Sequence, residues 1–195
     1  MKTRKAFKPV FTERDYSSGD GMLTSVWGPS MWHSLHAMSF NYPNEPSCND
    51  KRHYQSFILN LQNVLPCGKC RKNLKKNFAK LPLTWDKMKN RETFSTYIYQ
   101  LHEIINTMLG KKSGLTYEMV RERYENFRSR CAKSYKDLKK MKRRTQKEKE
   151  KAKDKEKGCT EPLYGEKSKC VIQIVPQNKK IETFQIDKTC IKRTA

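Results

Sequence analysis

Four stretches of this chain place apolar residues three and four positions apart, the period of a helix with one buried face. The first is predicted to begin near Gly28-Pro29-Ser30 and to carry Trp32, Leu35, His36 and Ser39 on one side, until Tyr42-Pro43-Asn44-Glu45-Pro46 ends it. Proline is tolerated in a first turn, where its missing N–H has no intrahelical partner. The second starts near Asn49-Asp50, with Tyr54, Phe57, Ile58, Leu61 and Leu65 as its stripe. The third runs from Cys67 to about Phe78, turns Leu74 and Phe78 inward, and is broken by Pro82. The fourth, from Arg91 to Leu109, has the broadest apolar face: Phe94, Tyr97, Ile98, Leu101, Ile104, Ile105 and Met108, with Gly110 as its stop. Thr116 can cap a shorter fifth helix bearing Met119, Val120, Tyr124 and Phe127. Apolar helices joined by short loops predict an all-α fold, a four-helix bundle plus a short fifth helix. A two-residue period occurs only at 171–175 and 181–186, on either side of Pro176-Gln177-Asn178-Lys179-Lys180, and predicts a small C-terminal β-hairpin that needs something to pack on.

Charge changes the picture mainly by dividing the chain. Of a net charge of +22 over 195 residues, the stretch 133–157 alone supplies +8, with thirteen Lys or Arg against five Asp or Glu. Such a run reads as a solvated helix or a disordered linker. The expected organisation is therefore a basic N-terminal arm (1–21), a helical domain (22–131), a charged linker (132–158) and a C-terminal extension (159–195). The surplus of charge also admits nucleic acid, an anionic surface or an acidic partner. No apolar run approaches membrane-spanning length, and no apolar segment follows Met1-Lys2-Thr3-Arg4-Lys5, so neither a span nor a secretory signal is expected.

The chemistry centres on Cys67-Gly68-Lys69-Cys70. Two cysteines three apart at a helix start can close a small, reversible disulfide. The first thiol then lies at the positive end of the helix dipole, which favours its thiolate. The spacing alone also fits half a zinc site or two unrelated thiols. No other C-x-x-C exists, so zinc would need help from His33 and His36, three apart on a helix that also bears tryptophan. A dithiol that gives up two electrons requires an acceptor, and no Gly-rich dinucleotide fingerprint is present. Trp32 and His36 are four apart, as are His102 and Asn106, so two helices can aim rings and polar tips at the head of the Cys67 helix. A flat cofactor with polar edges fits such a place inside a bundle. The competing reading is a basic nucleic-acid-binding or zinc-binding structural protein, carried by charge alone.

Trp27-Gly28-Pro29-Ser30-Met31-Trp32-His33-Ser34-Leu35-His36, Tyr42-Pro43, Pro66-Cys67-Gly68-Lys69-Cys70, His102-Glu103-Ile104-Ile105-Asn106, Leu109-Gly110-Lys111 and Arg123-Tyr124 follow one another in an order that resembles the Erv/ALR sulfhydryl oxidases. The Trp-Gly-Pro start is similar to the members encoded by large cytoplasmic DNA viruses. The resemblance implies a FAD-linked thiol oxidase that makes disulfides in protein substrates and passes electrons to oxygen, giving hydrogen peroxide. It implies Cys67 as the interchange thiol and Cys70 as the sulfur facing the flavin. Gly28, Trp32, His36, Cys70, His102, Asn106, Lys111 and Tyr124 are the implied FAD contacts, with no metal. It further implies protein dithiols or a thioredoxin-like relay protein as partners, a homodimer, and work in the host cytoplasm or the virion. Cys159 and Cys170 are candidates for either a shuttle dithiol or a structural disulfide. Three positions depart from the family pattern. Glu103 replaces an asparagine, Pro29 replaces an arginine, and the cysteine expected after Leu109-Gly110-Lys111 is missing, so that Cys131 is either its leftover partner or pairs elsewhere.

Overall fold

A computed structural model describes residues 11–129, 159, 162–182 and 184–191. Six α-helices occur among them: α1 (Glu13–Tyr16), α2 (Thr24–Phe40), α3 (Cys48–Val64), α4 (Gly68–Lys80), α5 (Arg91–Met108) and α6 (Tyr117–Glu125). Helices α2 to α5 form the bundle, and α6 closes it by packing on α2 and α5. The all-α expectation, four helices plus a short fifth, is met.

Capping sets where the helices begin. Ser47 and Asp50 make a reciprocal capping box on α3, and Asn90 and Thr93 make one on α5. The Asn90 side chain accepts the Thr93 N–H at 2.9 Å, and the Thr93 hydroxyl oxygen accepts the Asn90 N–H at 3.1 Å. Asn90→Ala is expected to cost about 1 kcal/mol, read as a lower urea midpoint at unchanged slope. Thr116 caps α6 by accepting the Met119 N–H, as its position predicts. Helix α2 starts at Thr24, earlier than expected, so Pro29 lies inside it rather than in its first turn.

The core collects Leu35, Ile58, Leu61, Leu74, Phe78, Phe94, Tyr97, Ile98 and Leu101 from the predicted stripes. It also takes residues that sequence periodicity assigns to loops. Tyr42 is fully buried and donates to the Met88 carbonyl at 3.0 Å. Phe94 and Tyr54 meet the Tyr42 ring from two sides. Conversely Phe57, Met108, Met119 and Phe127, predicted to face inward, are exposed.

The C-terminal hairpin is not formed. Among the described residues there is no strand, and the one isolated backbone bridge joins Ser129 to Pro162. Val171, Ile172 and Ile174 are all exposed, so this segment has no apolar face to rest on, and a two-stranded ribbon is marginal without one. The extension is held to the bundle by other means. Leu163 N–H donates to the Arg128 carbonyl at 2.7 Å, and the Phe184 ring lies against His33, Tyr124 and Phe127. Gly165 is left-handed (φ +67°), and a Cβ there would come within 2.7 Å of the Cys190 backbone, so this turn requires glycine. The charged linker 132–158 and residues 1–10 of the arm lie outside the described residues.

Candidate active site

Leu65-Pro66 turns the chain out of α3 and sets Cys67 in extended conformation as the N-cap of α4. The Cys67 sulfur accepts the N–H of Cys70 at 3.2 Å. A disulfide joins these two residues, with Cα atoms 5.1 Å apart. Both sulfurs are thus committed to each other, and neither is free to ligate a metal in this structure. Cys70 packs against the core and Cys67 forms the N-cap of α4; both are half-buried. Arg71 clamps the loop by donating from Nη1 to the Leu65 carbonyl.

A segment of the N-terminal arm crosses this loop. Met22 N–H donates to the Pro66 carbonyl at 2.7 Å, and Trp27 Nε1 donates to the Met22 carbonyl at 3.1 Å. A Cβ on Gly21 would sit 2.8 Å from the Pro66 oxygen and 3.0 Å from the Cys67 Cα, so only glycine lets the crossing come this close. Just beyond it, the Thr24 hydroxyl lies 3.7 Å from the Cys70 sulfur.

Thr24, Gly28, Trp32 and His36 follow at four-residue intervals on one face of α2. This row extends about 18 Å, from the Cys70 sulfur to a cluster of rings. At its far end Trp32 stacks on His102 of α5, centroids 3.9 Å apart and planes within 6°. His36 and His102 share a hydrogen bond of 3.0 Å between Nε2 and Nδ1. Tyr124 of α6 lies 5.3 Å from the His36 ring and stacks on Phe40 at 5.4 Å. Its hydroxyl meets His33 Nδ1 at 3.2 Å.

Two details fit a flat heteroaromatic group with polar edges. His36 Nδ1 is buried with no hydrogen-bond partner among the described residues, an arrangement that normally costs stability unless something fills it. Gly28 has no protein atom closer than 3.8 Å to the position of a Cβ, so no neighbour in the protein demands its small size, and a ligand surface can. Trp32, His36, His102 and Tyr124 are therefore brought together as predicted residues of one wall. Asn106 and Lys111 sit at the far end of α5 and just after it. The Asn106 amide donates to Glu103 at 2.9 Å, the residue that departs from the family pattern. Lys111 is exposed beyond Gly110, whose φ of +68° ends the helix.

His36 and His102 are uncharged at neutral pH. Burial, with the neighbouring imidazoles, lowers His36 to about 3, and burial lowers His102 to about 4. In the unfolded chain both return towards 6.5 and bind protons first. Acidification from pH 6.5 towards 4 therefore favours the unfolded state, and the stability present above 6.5 is progressively lost. We expect the melting temperature of the wild-type protein to fall over this window and to fall less in His36→Asn. An equal fall in both would mean that His36 does not titrate between the two states.

The remaining cysteines do not form the expected pair. Cys159 is disulfide-bonded, but Cys170 is an exposed free thiol, so the two are not joined to each other. The extension instead docks through Phe184, leaving Cys170 in its exposed stretch. Cys48 and Cys190 are also free, and Cys131 lies outside the described residues. Sequence reasoning overlooked Thr24, Phe40 and Phe184. Extending the four-residue row of Gly28, Trp32 and His36 back by one step finds Thr24. No local pattern reveals Phe184, which reaches the site from 60 residues beyond Tyr124 in sequence.

The Erv1/Alr family model matches residues 29–125, from within α2 to the end of α6. A protein of Acanthamoeba polyphaga mimivirus named as a probable FAD-linked sulfhydryl oxidase is 37% identical over 104 residues, covering 53% of this chain and 72% of that protein. The FAD-linked sulfhydryl oxidase of African swine fever virus (Warthog isolate) is 33% identical over 86 residues, 44% of this chain and 70% of the relative. The crystal structure of the yeast Erv1 core superposes with a TM-score of 0.49 at 21% identity, over 60% of this chain and 96% of that one. With the family model from residue 29 to 125 and a viral relative 37% identical across most of its length, this chain belongs to the Erv1/Alr family.

Proposed function

We propose that Cys67 and Cys70 carry electrons from protein dithiols to FAD lying along the α2 row. The protein is a FAD-linked sulfhydryl oxidase. It makes disulfide bonds in its substrates, with oxygen as final acceptor and hydrogen peroxide as product. The observation that carries the reading is the row itself: Thr24, Gly28, Trp32 and His36 lead from the Cys70 sulfur to a ring cluster containing an unpartnered, buried imidazole nitrogen.

A substrate thiolate attacks the sulfur of Cys67, the N-cap of α4, and the Cys67–Cys70 bond breaks. Cys70 leaves as a thiolate beside the Thr24 hydroxyl, which can donate to it. The second substrate thiol loses its proton and closes on the mixed disulfide. The substrate disulfide forms, Cys67 is released, and two electrons have moved to the cysteine pair. The N-terminal end of α4 favours the thiolate forms, and the Cys70 N–H already points at the Cys67 sulfur. Bound FAD supplies the two-electron acceptor and the reaction with oxygen that restores it. Trp32, His102 and Tyr124 offer ring faces to hold it, and His36 Nδ1 offers a polar contact. Asn106 and Lys111 stand where an adenosine or phosphate portion would end, and Gly28 leaves the floor of the row open.

The protein substrates are dithiols, and a thioredoxin-like relay protein is one of them on this reading. The viral relatives support work in the host cytoplasm or the virion. No helix among the described residues is long and apolar enough to cross a membrane. A homodimer belongs to the same reading.

The test is oxygen consumption by the purified, FAD-loaded chain supplied with a reduced dithiol protein, with peroxide measured in parallel. One peroxide per substrate disulfide is expected. Disulfide formation with no oxygen uptake would contradict the reading.

A further inference from the structure

No Asp or Glu stands between Asp50 and Asp86, while α4 carries Lys69, Arg71, Lys72, Lys75, Lys76 and Lys80. Lys69, Lys72, Lys76 and Lys80 fall at three- and four-residue steps, so they form a stripe along one exposed face of about 16 Å. Leu74, Asn77 and Phe78 occupy the opposite, buried face of the same helix. None of these four lysines is paired with a carboxylate among the described residues. A helix this cationic repels itself, and the arrangement brings no compensating gain to the fold: the core already holds α4 through its other face. The stripe begins two residues beyond Cys67 in sequence and projects from the side of α4 opposite it, so it flanks the head of the helix at a distance within reach of its field.

From this we infer that the lysine face of α4 is the docking surface for the substrate protein, and that it selects dithiols flanked by acidic residues. The inference rests on the sulfhydryl oxidase reading and specifies its substrate class. Disulfide exchange requires the incoming thiolate to approach Cys67 along its S–S axis, so a partner is in contact with the head of α4 at the moment of reaction. Cations there attract an acidic partner over roughly a Debye length, raise its encounter rate, and disfavour basic partners. They also attract the incoming thiolate itself. A nucleic acid would be drawn to the same face, but it has no dithiol to deliver. The stripe shares its helix with Cys67, whose chemistry needs a dithiol partner, and this favours protein.

The test uses the full FAD-loaded chain and three reduced dithiol peptides of one length, with flanks rich in glutamate, serine or lysine. Wild-type kcat/KM is expected to rank glutamate above serine above lysine, by about tenfold or more between the extremes at low salt, and the spread should narrow as salt is raised. Lys72→Glu/Lys76→Glu/Lys80→Glu should erase or invert the ranking while turnover of dithiothreitol, which is uncharged and needs no docking, stays unchanged. Lys72→Gln/Lys76→Gln/Lys80→Gln should flatten it. Equal kcat/KM for the glutamate and lysine peptides in the wild type would overturn the inference, a result independent of any variant's folding. So would a ranking that survives the triple charge reversal. A single-stranded oligonucleotide that binds the wild type but not the reversed variant, with peptide kinetics unaltered, would assign the face to nucleic acid instead. Failure of the wild type to oxidise even dithiothreitol would strike the oxidase reading itself, and is told apart from failure of docking by that control.

Discussion

Replacing either active cysteine is expected to lower turnover of protein dithiols by at least about 10³-fold, because either change leaves no disulfide to open. Cys67→Ser and Cys70→Ser should both retain FAD, since the ring wall on α2, α5 and α6 is untouched. They should differ in the reactivity of the thiol that survives. In Cys70→Ser the free Cys67 sits at the N-cap of α4, at the positive end of its dipole. In Cys67→Ser the free Cys70 packs against the core beside Thr24. Alkylation by iodoacetamide, followed residue by residue with mass spectrometry, should be about tenfold faster at Cys67, the change that one unit of thiol pKa or an equal loss of access produces. Equal or reversed rates would exchange the two assignments. Oxygen uptake at the wild-type rate in either variant would remove that residue from the pathway.

The largest stability effect is expected at Phe94. Its side chain is 1% exposed and lies 4.6 Å from the Tyr42 ring and 5.6 Å from that of Tyr54. Phe94→Ala deletes a ring that α3, α5 and the Tyr42 turn all share, and a site enclosed on so many sides cannot collapse to fill the gap. The expected cost is about 3–5 kcal/mol. Against a typical stability of about 5–15 kcal/mol, that brings the domain close to its folding limit. Phe94→Leu should cost clearly less, since it keeps most of the apolar volume. Urea unfolding of the three proteins measures the difference, and a loss below about 1 kcal/mol for Phe94→Ala would mean that the core is looser than its packing indicates. The effect should reach the active site, because His102 lies two turns further along the same helix.

Much of the bundle was legible because helical periodicity and capping are local. The four-residue spacing of Trp32 and His36, and the order of motifs from Trp27 to Tyr124, were enough to place one wall of the site. Long-range choices were not legible. Tyr42 reads as a helix terminator, yet its burial depends on the Met88 carbonyl, 46 residues away. Phe57 shares a helical face with Ile58 and Leu61 on paper, but α4 and α5 leave it in solvent. The two-residue period at 171–175 misled because alternation predicts a strand only where a sheet or a packed face can receive it. The pairing of Cys159 with Cys170 failed for a related reason: thiols pair by geometry, and spacing along an extended tail contains no information about it. The crossing of Gly21-Met22 over Pro66 was invisible because a lone glycine in a basic arm signals nothing until its neighbour is known.

The central claim is that electrons leave the Cys67–Cys70 pair for a flavin held beside it, and a visible spectrum of the purified protein tests it most directly. The full chain is expected to be yellow, with a band at about 450 nm that bleaches when dithiothreitol is added without air and returns when oxygen is admitted. In Cys70→Ser the band should be present and should not bleach on the same timescale. A colourless protein that takes up no FAD, or a bleaching rate unchanged by Cys70→Ser, would contradict the account.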